Sequence, residues 1–294
     1  MGSKHAYLII AHTDYELLQC LVYCLDDNRN DIYIHIDKKA DFDGKGLCAH
    51  YSKLVILAER MDVRWGDYSM VEAELLLFET AASYANYAYY HLLSGVDLPI
   101  KPQNYIHGYC DKHQGTEFVG FAQNVTLQEL RWRTQNYFLF SKDFQSKSLW
   151  KRGLRALFVL LQRMAGCRRI RCEVKKGAQW CSVTHEFVQY LLSRKEYIRK
   201  YFKGTYCPDE LVIQTLCWNS SFREKVCNAS DEFEGCKRYI KWKDGELLPV
   251  TASDIDEMLD SDKWFARKFS SENYSVISVL TKGVSKHSRK QFSK

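Results

Sequence analysis

The chain has 294 residues, with 46% hydrophobic and 14% aromatic residues and only 4 Pro, which suits one large or two small domains and excludes a disordered chain. Its net charge of +6 is unevenly spread: nine basic residues and one acid between 151 and 176 give +8, five basic residues after Thr281 give +5, and the body is left at −7. A generally basic protein seeking nucleic acid is thereby excluded, and no apolar run approaches the roughly 18–20 residues of a membrane span.

After Met1-Gly2-Ser3, residues 6–11 (Ala-Tyr-Leu-Ile-Ile-Ala) form an unbroken apolar run, which predicts a strand buried on both faces and not a signal peptide. His12-Thr13-Asp14 supplies a turn and a helix cap, and helical spacing follows over Tyr15–Leu25. Residues 31–37 predict a second strand and 54–57 a short third one. Residues 70–90 predict a long helix, and 90–93 are again strand-like. This alternation predicts an α/β fold with ligands at the carboxyl ends of the strands. Neither a Gly-x-Gly-x-x-Gly fingerprint nor a P-loop occurs, so those nucleotide folds have no support. The pattern loosens after Phe121 and resumes at Trp180, with a helix through Phe187, Tyr190, Leu191 and Leu192. No repeat or linker is visible, so residues 1–270 read as one domain and 271–294 as a basic tail.

Within the looser region, Leu149–Met164 is a basic amphipathic helix, with Lys151, Arg152, Arg155 and Arg163 on one side and Leu154, Leu157, Phe158, Leu160, Leu161 and Met164 on the other. The default reading is a helix packed on its own domain with its basic face in water. A second reading is peripheral contact with an anionic membrane surface through 149–176. The eleven cysteines are odd in number and scattered from Cys20 to Cys236, which suits free thiols in the cytoplasm. Cys110-x-x-His113 and Cys167-x4-Cys172 lack a matching second half, so no zinc site is expected.

Five further segments carry the functional reading: Ile34-His35-Ile36-Asp37-Lys38-Lys39, Val63-Arg64-Trp65-Gly66, Ser94-Gly95-Val96-Asp97-Leu98-Pro99-Ile100-Lys101, Lys176-Gly177-Ala178-Gln179-Trp180 with Cys207-Pro208-Asp209-Glu210, and Trp264-Phe265-Ala266-Arg267-Lys268-Phe269. In this order they resemble the core-2/I-branching β-1,6-N-acetylglucosaminyltransferase family, which includes peptide O-xylosyltransferases. The resemblance runs from Ala6 to Phe269, close to a bare catalytic domain of bacterial type.

The resemblance implies a GT-A-type fold, with a Rossmann-like mixed sheet flanked by helices, and inverting transfer without a metal. Glu210 matches the family's catalytic base. Arg267 and Lys268 match its diphosphate-binding pair, with Arg238 a looser third cation. Asp37 and Lys39 match positions that hold uridine, beside the Ala11 backbone, while Trp65 and Asp97 point to the diphosphate–sugar end. Gln179 and Trp180 border the sugar or acceptor site, with a large core residue the equal reading of Trp180. His12 and His35 read as supporting or core residues.

The chemistry of these residue types agrees. The position after the fourth strand has one carboxylate, Asp97, where a metal-binding Asp-x-Asp would have two. Asp41-x-Asp43 and Asp254-x-Asp256 are literal matches in the wrong places, and both read as decoys. Fixed cations can replace a metal on a leaving diphosphate. The expectation is therefore a cytoplasmic glycosyltransferase, without cofactor, that moves N-acetylglucosamine, or else xylose, from a UDP-sugar to a hydroxyl of a glycan. Bacterial acceptors of this kind are often lipid-linked at the inner leaflet. A metal-dependent transferase and a catalytically silent glycan- or nucleotide-sugar-binding module are the rivals.

Overall fold

Seven consecutive buried residues make β1 (His5–Ala11) the central strand, as its unbroken apolar run requires. The structure, a computed structural model, describes residues 4–166, 170–243 and 246–289, with side chains as far as Thr281. Met1-Gly2-Ser3, Cys167, Arg168, Arg169, Lys290 and Lys294 lie outside the described residues, as do the side chains of Lys282, Lys286 and Arg289.

In chain order β1 is followed by α1 (Tyr15–Leu25), β2 (Asn30–Ile36), β3 (Lys53–Ile56), α2 (Ser69–Tyr84), β4 (Tyr89–Ser94), β5 (Leu98–Pro99), α3 (Gln103–Lys112), α4 (Leu127–Thr134), α5 (Leu149–Met164), β6 (Ser182–Thr184), α6 (His185–Ser193), α7 (Lys195–Phe202), α8 (Val212–Trp218), α9 (Glu232–Cys236), β7 (Arg238–Ile240), β8 (Trp242–Lys243), β9 (Glu246–Leu247), α10 (Ile255–Asp260), β10 (Phe265–Arg267) and α11 (Tyr274–Arg289). The main sheet has the order β3-β2-β1-β4-β6 and is parallel except for β6. A smaller sheet has the order β5-β10-β7, and β8 and β9 form a hairpin. This is a mixed α/β fold with a central mixed sheet flanked by helices, consistent with a GT-A-like arrangement.

Alternation along β1 splits the core into two layers. Ala6, Leu8 and Ile10 pack towards α2 and α6, with Phe78 and Phe187 beside them. Tyr7, Ile9 and Ala11 pack towards α1 and β10, with Leu21 and Phe265. The strand order reverses at β1, with β2 on one side and β4 on the other, so the crevice opens at their carboxyl ends.

Four details differ from the sequence-based expectations. Helix α2 stops at Tyr84 instead of 90, because Ala88 N–H donates to the Lys4 carbonyl (2.8 Å) and Tyr87 OH to Asp31 Oδ2 (2.6 Å), which draw the chain into β4. Helix α4 lies in the region expected to be loose; it is polar, with Thr126 capping it through Glu129 N–H at 3.1 Å. Residues 271–281 are not a separate tail, since Ser271 N–H donates to Asp14 Oδ2 (2.8 Å) and Val276, Ile277 and Leu280 are buried. Helix α5 packs in the opposite sense to the default reading. Its Lys151 reaches Asp143 Oδ2 (2.6 Å), and Arg155 donates to the Leu139 and Phe140 carbonyls, so these cations face the domain and the leucines face outward.

A chain of imidazoles joins the amino ends of β1 and β4. His91 contacts Ser182 Oγ (2.7 Å) and His5 (3.0 Å), His5 stacks on His107 (3.9 Å), and His107 contacts Asn30 (2.8 Å). Burial lowers the proton affinity of all three, with His107 down to about 4 from the ordinary 6.5. The unfolded chain therefore takes up protons first as pH falls. The His107 contribution is complete above pH 6.5 and is lost as pH falls from there through about 4, by about 3 kcal/mol. The urea midpoint should fall steadily across that window, and a flat midpoint would contradict a neutral buried cluster.

Candidate active site

The first-half residues meet at the strand ends. Ala11 closes β1, and its carbonyl accepts from Asp37 N–H at 2.8 Å. Asp37 is buried and accepts from both Lys39 N–H (2.8 Å) and Lys39 Nζ (2.9 Å). Lys39 also donates to Asp62 (2.7 Å) and the Val63 carbonyl, so it ties the end of β2 to the approach to α2. His35 is a core residue, with Nε2 accepting from Met61 N–H at 3.0 Å. His12 is exposed at the end of β1. Partial burial lowers its proton affinity; Asp37 opposes this, and Lys268, Lys39 and Arg267 add to it. Charges from β2 and from the end of β10 thus act on one imidazole, which the sequence reading set aside.

Ser94-Gly95-Val96-Asp97 folds into a turn over Ala11. Gly95 N–H donates to Ile10 O (2.9 Å), and a Cβ on Gly95 would meet Ala11 Cβ at 3.0 Å. Ser94 N–H donates to Asp97 Oδ2 (2.9 Å), which leaves Oδ1 without a hydrogen bond and 3.6 Å from Arg267 Nε. Phe269 N–H donates to Val96 O (3.0 Å), fastening the Arg267-Lys268-Phe269 strand to this turn. The Arg267 guanidinium lies 4.2 Å over the Trp180 ring, and its Nε and Nη1 have no hydrogen-bond partner. Burial lowers its proton affinity and Asp97 opposes that, while burial raises the Asp97 carboxyl against Arg267. Lys268 is exposed.

Arg238 does not join them. It is 1% exposed and donates to the Cys236 carbonyl (2.7 Å), the Cys181 carbonyl (2.8 Å) and Ser182 Oγ (3.1 Å), with Phe265 at 4.5 Å below its guanidinium. Those carbonyls belong to the join between the two sheets, so the expectation of a diphosphate ligand is corrected to a structural cation.

Glu210 follows Pro208 and Asp209 in a short 3-10 turn ahead of α8. Its Oε2 accepts from Arg133 Nη1 at 2.7 Å, with Lys176 Nζ at 3.8 Å. Arg133 also pairs with Glu129 one helical turn earlier (3.0 Å), and Lys176 with the same Glu129 (3.2 Å). Burial acts against the Arg133 charge, but Glu210 outweighs it and raises its proton affinity. The only signal for Arg133 in the sequence is the Glu129-x3-Arg133 spacing on a helix without an apolar stripe. Behind Glu210, burial and then the Glu210 charge push Asp209 up to about 7, and burial and then Asp209 raise Glu74 well above the carboxylate range.

One short segment links the two halves. Gly177 N–H donates to the Glu210 carbonyl (3.0 Å), Gln179 is buried beside Glu74, and Trp180 lies under Arg267. Trp180 is 9% exposed, so it serves as both packing residue and platform. Trp65 is 52% exposed and meets Tyr206 at 5.7 Å, while Gly66 O accepts from Cys207 N–H at 3.0 Å. That bond ties Trp65 to the Glu210 turn. A cavity of about 550 Å³ lies beyond Lys176, between α4 and residues 171–176, and none of the strand-end residues line it.

The stray acidic pairs are engaged elsewhere. Asp43 pairs with Lys45 (2.7 Å) on an exposed loop, and Asp254 caps its own turn through Thr251 (2.7 Å) and binds Lys241 (2.5 Å). Among the described residues no three His, Cys, Asp or Glu side chains are grouped to hold a metal ion, and no helix is long and apolar enough to cross a membrane. The ten described cysteines are all unpaired.

No curated protein matches the chain. Residues 5–266 match the Core-2/I-Branching enzyme family, a glycosyltransferase family; the span takes in Ala11, Asp37, Asp97 and the Glu210 turn and ends one residue before Arg267. With nearly nine tenths of its length inside that match, the chain belongs to the Core-2/I-Branching enzyme family.

Proposed function

We propose that the chain transfers a sugar from a UDP-sugar to a hydroxyl of a glycan, with inversion and without a metal ion. The observation that carries this reading is the 177–180 segment, bonded to Glu210 at one end and packed under Arg267 at the other. Three residues span at most about 11 Å, so this segment holds the Glu210 main chain close to Arg267, a largely buried cation with unspent donors. N-acetylglucosamine is the first candidate for the donor sugar and xylose the second, on family membership.

In this reading Asp37, oriented by Lys39, holds the uridine beside the Ala11 backbone. Asp97 and Trp65 border the diphosphate–sugar end. Arg267 offers its free N–H groups to the diphosphate and Lys268 a mobile ammonium. Arg133 and Lys176 both approach Oε2 of Glu210, which leaves Oε1 for the acceptor hydroxyl. Glu210 takes the hydroxyl proton as that oxygen bonds to the anomeric carbon. The bond from that carbon to the phosphate oxygen breaks on the opposite face, and its electron pair leaves with UDP. Lys176 also lines the 550 Å³ cavity, which makes that side the entry for the glycan.

Glu210→Gln should lower turnover by roughly 10²–10⁴ while UDP affinity stays within about threefold. Turnover within tenfold of the native chain would remove Glu210 as the base, and a native chain that binds UDP-sugars without ever turning them over would be a binding module. Turnover should be insensitive to EDTA; loss that Mn²⁺ restores would establish the metal-dependent rival. The two arginines separate cleanly. Arg267→Ala should weaken UDP binding about fiftyfold with little change in the urea midpoint, since a charge-assisted contact is lost. Arg238→Ala should cost about 3 kcal/mol of stability and leave UDP affinity unchanged in the folded protein. The reverse pattern would restore Arg238 to the donor site.

A further inference from the structure

Helix α5 holds its domain with its polar stripe. Lys151, Arg155, Val159 and Gln162 recur every three or four residues along one face. Besides the contacts of Lys151 and Arg155 already described, the Arg155 guanidinium lies 4.6 Å over Phe144, and Gln162 bonds both the N–H (2.8 Å) and the carbonyl (2.9 Å) of Tyr137. The other side carries Leu149, Trp150, Leu157, Leu160, Leu161 and Met164, each from 51% to 80% exposed. At 100° per residue they cover about 120° of the helix surface, along roughly 24 Å of axis. Single exposed leucines are ordinary, but a continuous apolar strip of this length marks a contact surface.

Charge decides between occupants. Arg152 and Arg163 are exposed along one border of the strip, and no acidic residue occurs between Asp143 and Glu173. A second copy docked by a two-fold axis would bring the same arginines together with no acid on the helix to answer them. An anionic lipid headgroup layer answers both the charge and the strip, and the helix is too short and too charged to cross.

We propose that α5 seats the protein on an anionic lipid bilayer, with the leucine strip in the acyl boundary and Arg152 and Arg163 among the headgroups. The base of the helix continues through Phe144 to Tyr206 (4.7 Å), and Tyr206 lies 5.2 Å below Arg133, the partner of Glu210. The lipid surface therefore adjoins the Glu210 side of the site. On the reaction proposed above, and only on it, the acceptor class is a glycan anchored in that bilayer. The binding itself is measured without any sugar, so its failure and the failure of the proposed reaction are separate results.

The full chain should float with phosphatidylcholine–phosphatidylglycerol vesicles at low salt, float poorly with phosphatidylcholine alone, and lose binding as salt rises. Leu157→Glu with Leu161→Glu should weaken vesicle binding about a hundredfold, with the urea midpoint kept because both residues are exposed. Arg152→Gln with Arg163→Gln should weaken it by about twentyfold. Absence of flotation on anionic vesicles at low salt, or binding that the double leucine variant retains, would overturn the proposal. So would a concentration-dependent dimer in light scattering, abolished by the leucine variant and without vesicle binding, which would give the strip to a second copy.

Discussion

The position of the site depends on a backbone contact that contains no side chain. Gly177 packs so closely on Gly120 that a Cβ on it would lie 1.9 Å from the Gly120 carbonyl oxygen. Gly120 meets the Glu232 carbonyl in the same way, and Gly235 meets those of Asn228 and Val119. Ala122 N–H then donates to Lys176 O (2.8 Å), and Phe118 and Ser182 exchange hydrogen bonds across 2.9 and 3.0 Å. This stack fixes residues 176–182 by main-chain geometry. Glu210 is tied to it by a main-chain hydrogen bond and Arg267 by the packed Trp180 ring.

Charge is treated in two ways on either side of that stack. Arg238 and Arg267 are the same residue type on neighbouring strands, and both lie against aromatic rings. The register sets Arg238 level with Phe265, at the inner end of β10, where strand carbonyls surround it. Arg267 stands two residues further on, opposite Ile240, with Asp97 as its charged neighbour. Both keep Nε without a partner, but Arg238 spends its other N–H groups on carbonyls and Ser182 at the joint between the sheets, whereas Arg267 also leaves Nη1 open, which suits an arriving anion.

Much of the fold was legible in the sequence: β1 is buried on both faces and leaves an unbroken apolar run, and short runs rich in apolar and β-branched residues marked β2 and β4. Asp37, Asp97 and Glu210 were singled out because short strings around them resemble a family, and their roles in the site are those proposed above. Helix α4 was missed because its contacts are polar, and with it Arg133, whose role exists only once Thr126 has capped the helix. The orientation of α5 was misread because amphipathicity gives two faces without saying which is turned inward. Pairing of Lys151 and Arg155 with Asp143 and the 139–140 carbonyls decides that, and such contacts leave no period in a sequence. Arg238 was misplaced because register, not residue type, separates it from Arg267.

The indole beneath Arg267 has an electrical consequence. Water that would hydrate the guanidinium is displaced when Trp180 and Asp97 fold against it, so little solvent has to reorient when negative charge develops nearby. In the proposed transfer, the nearest neighbours of that charge would be this packed ring and carboxylate in place of bulk water, an arrangement of low reorganisation energy seated on the glycine stack.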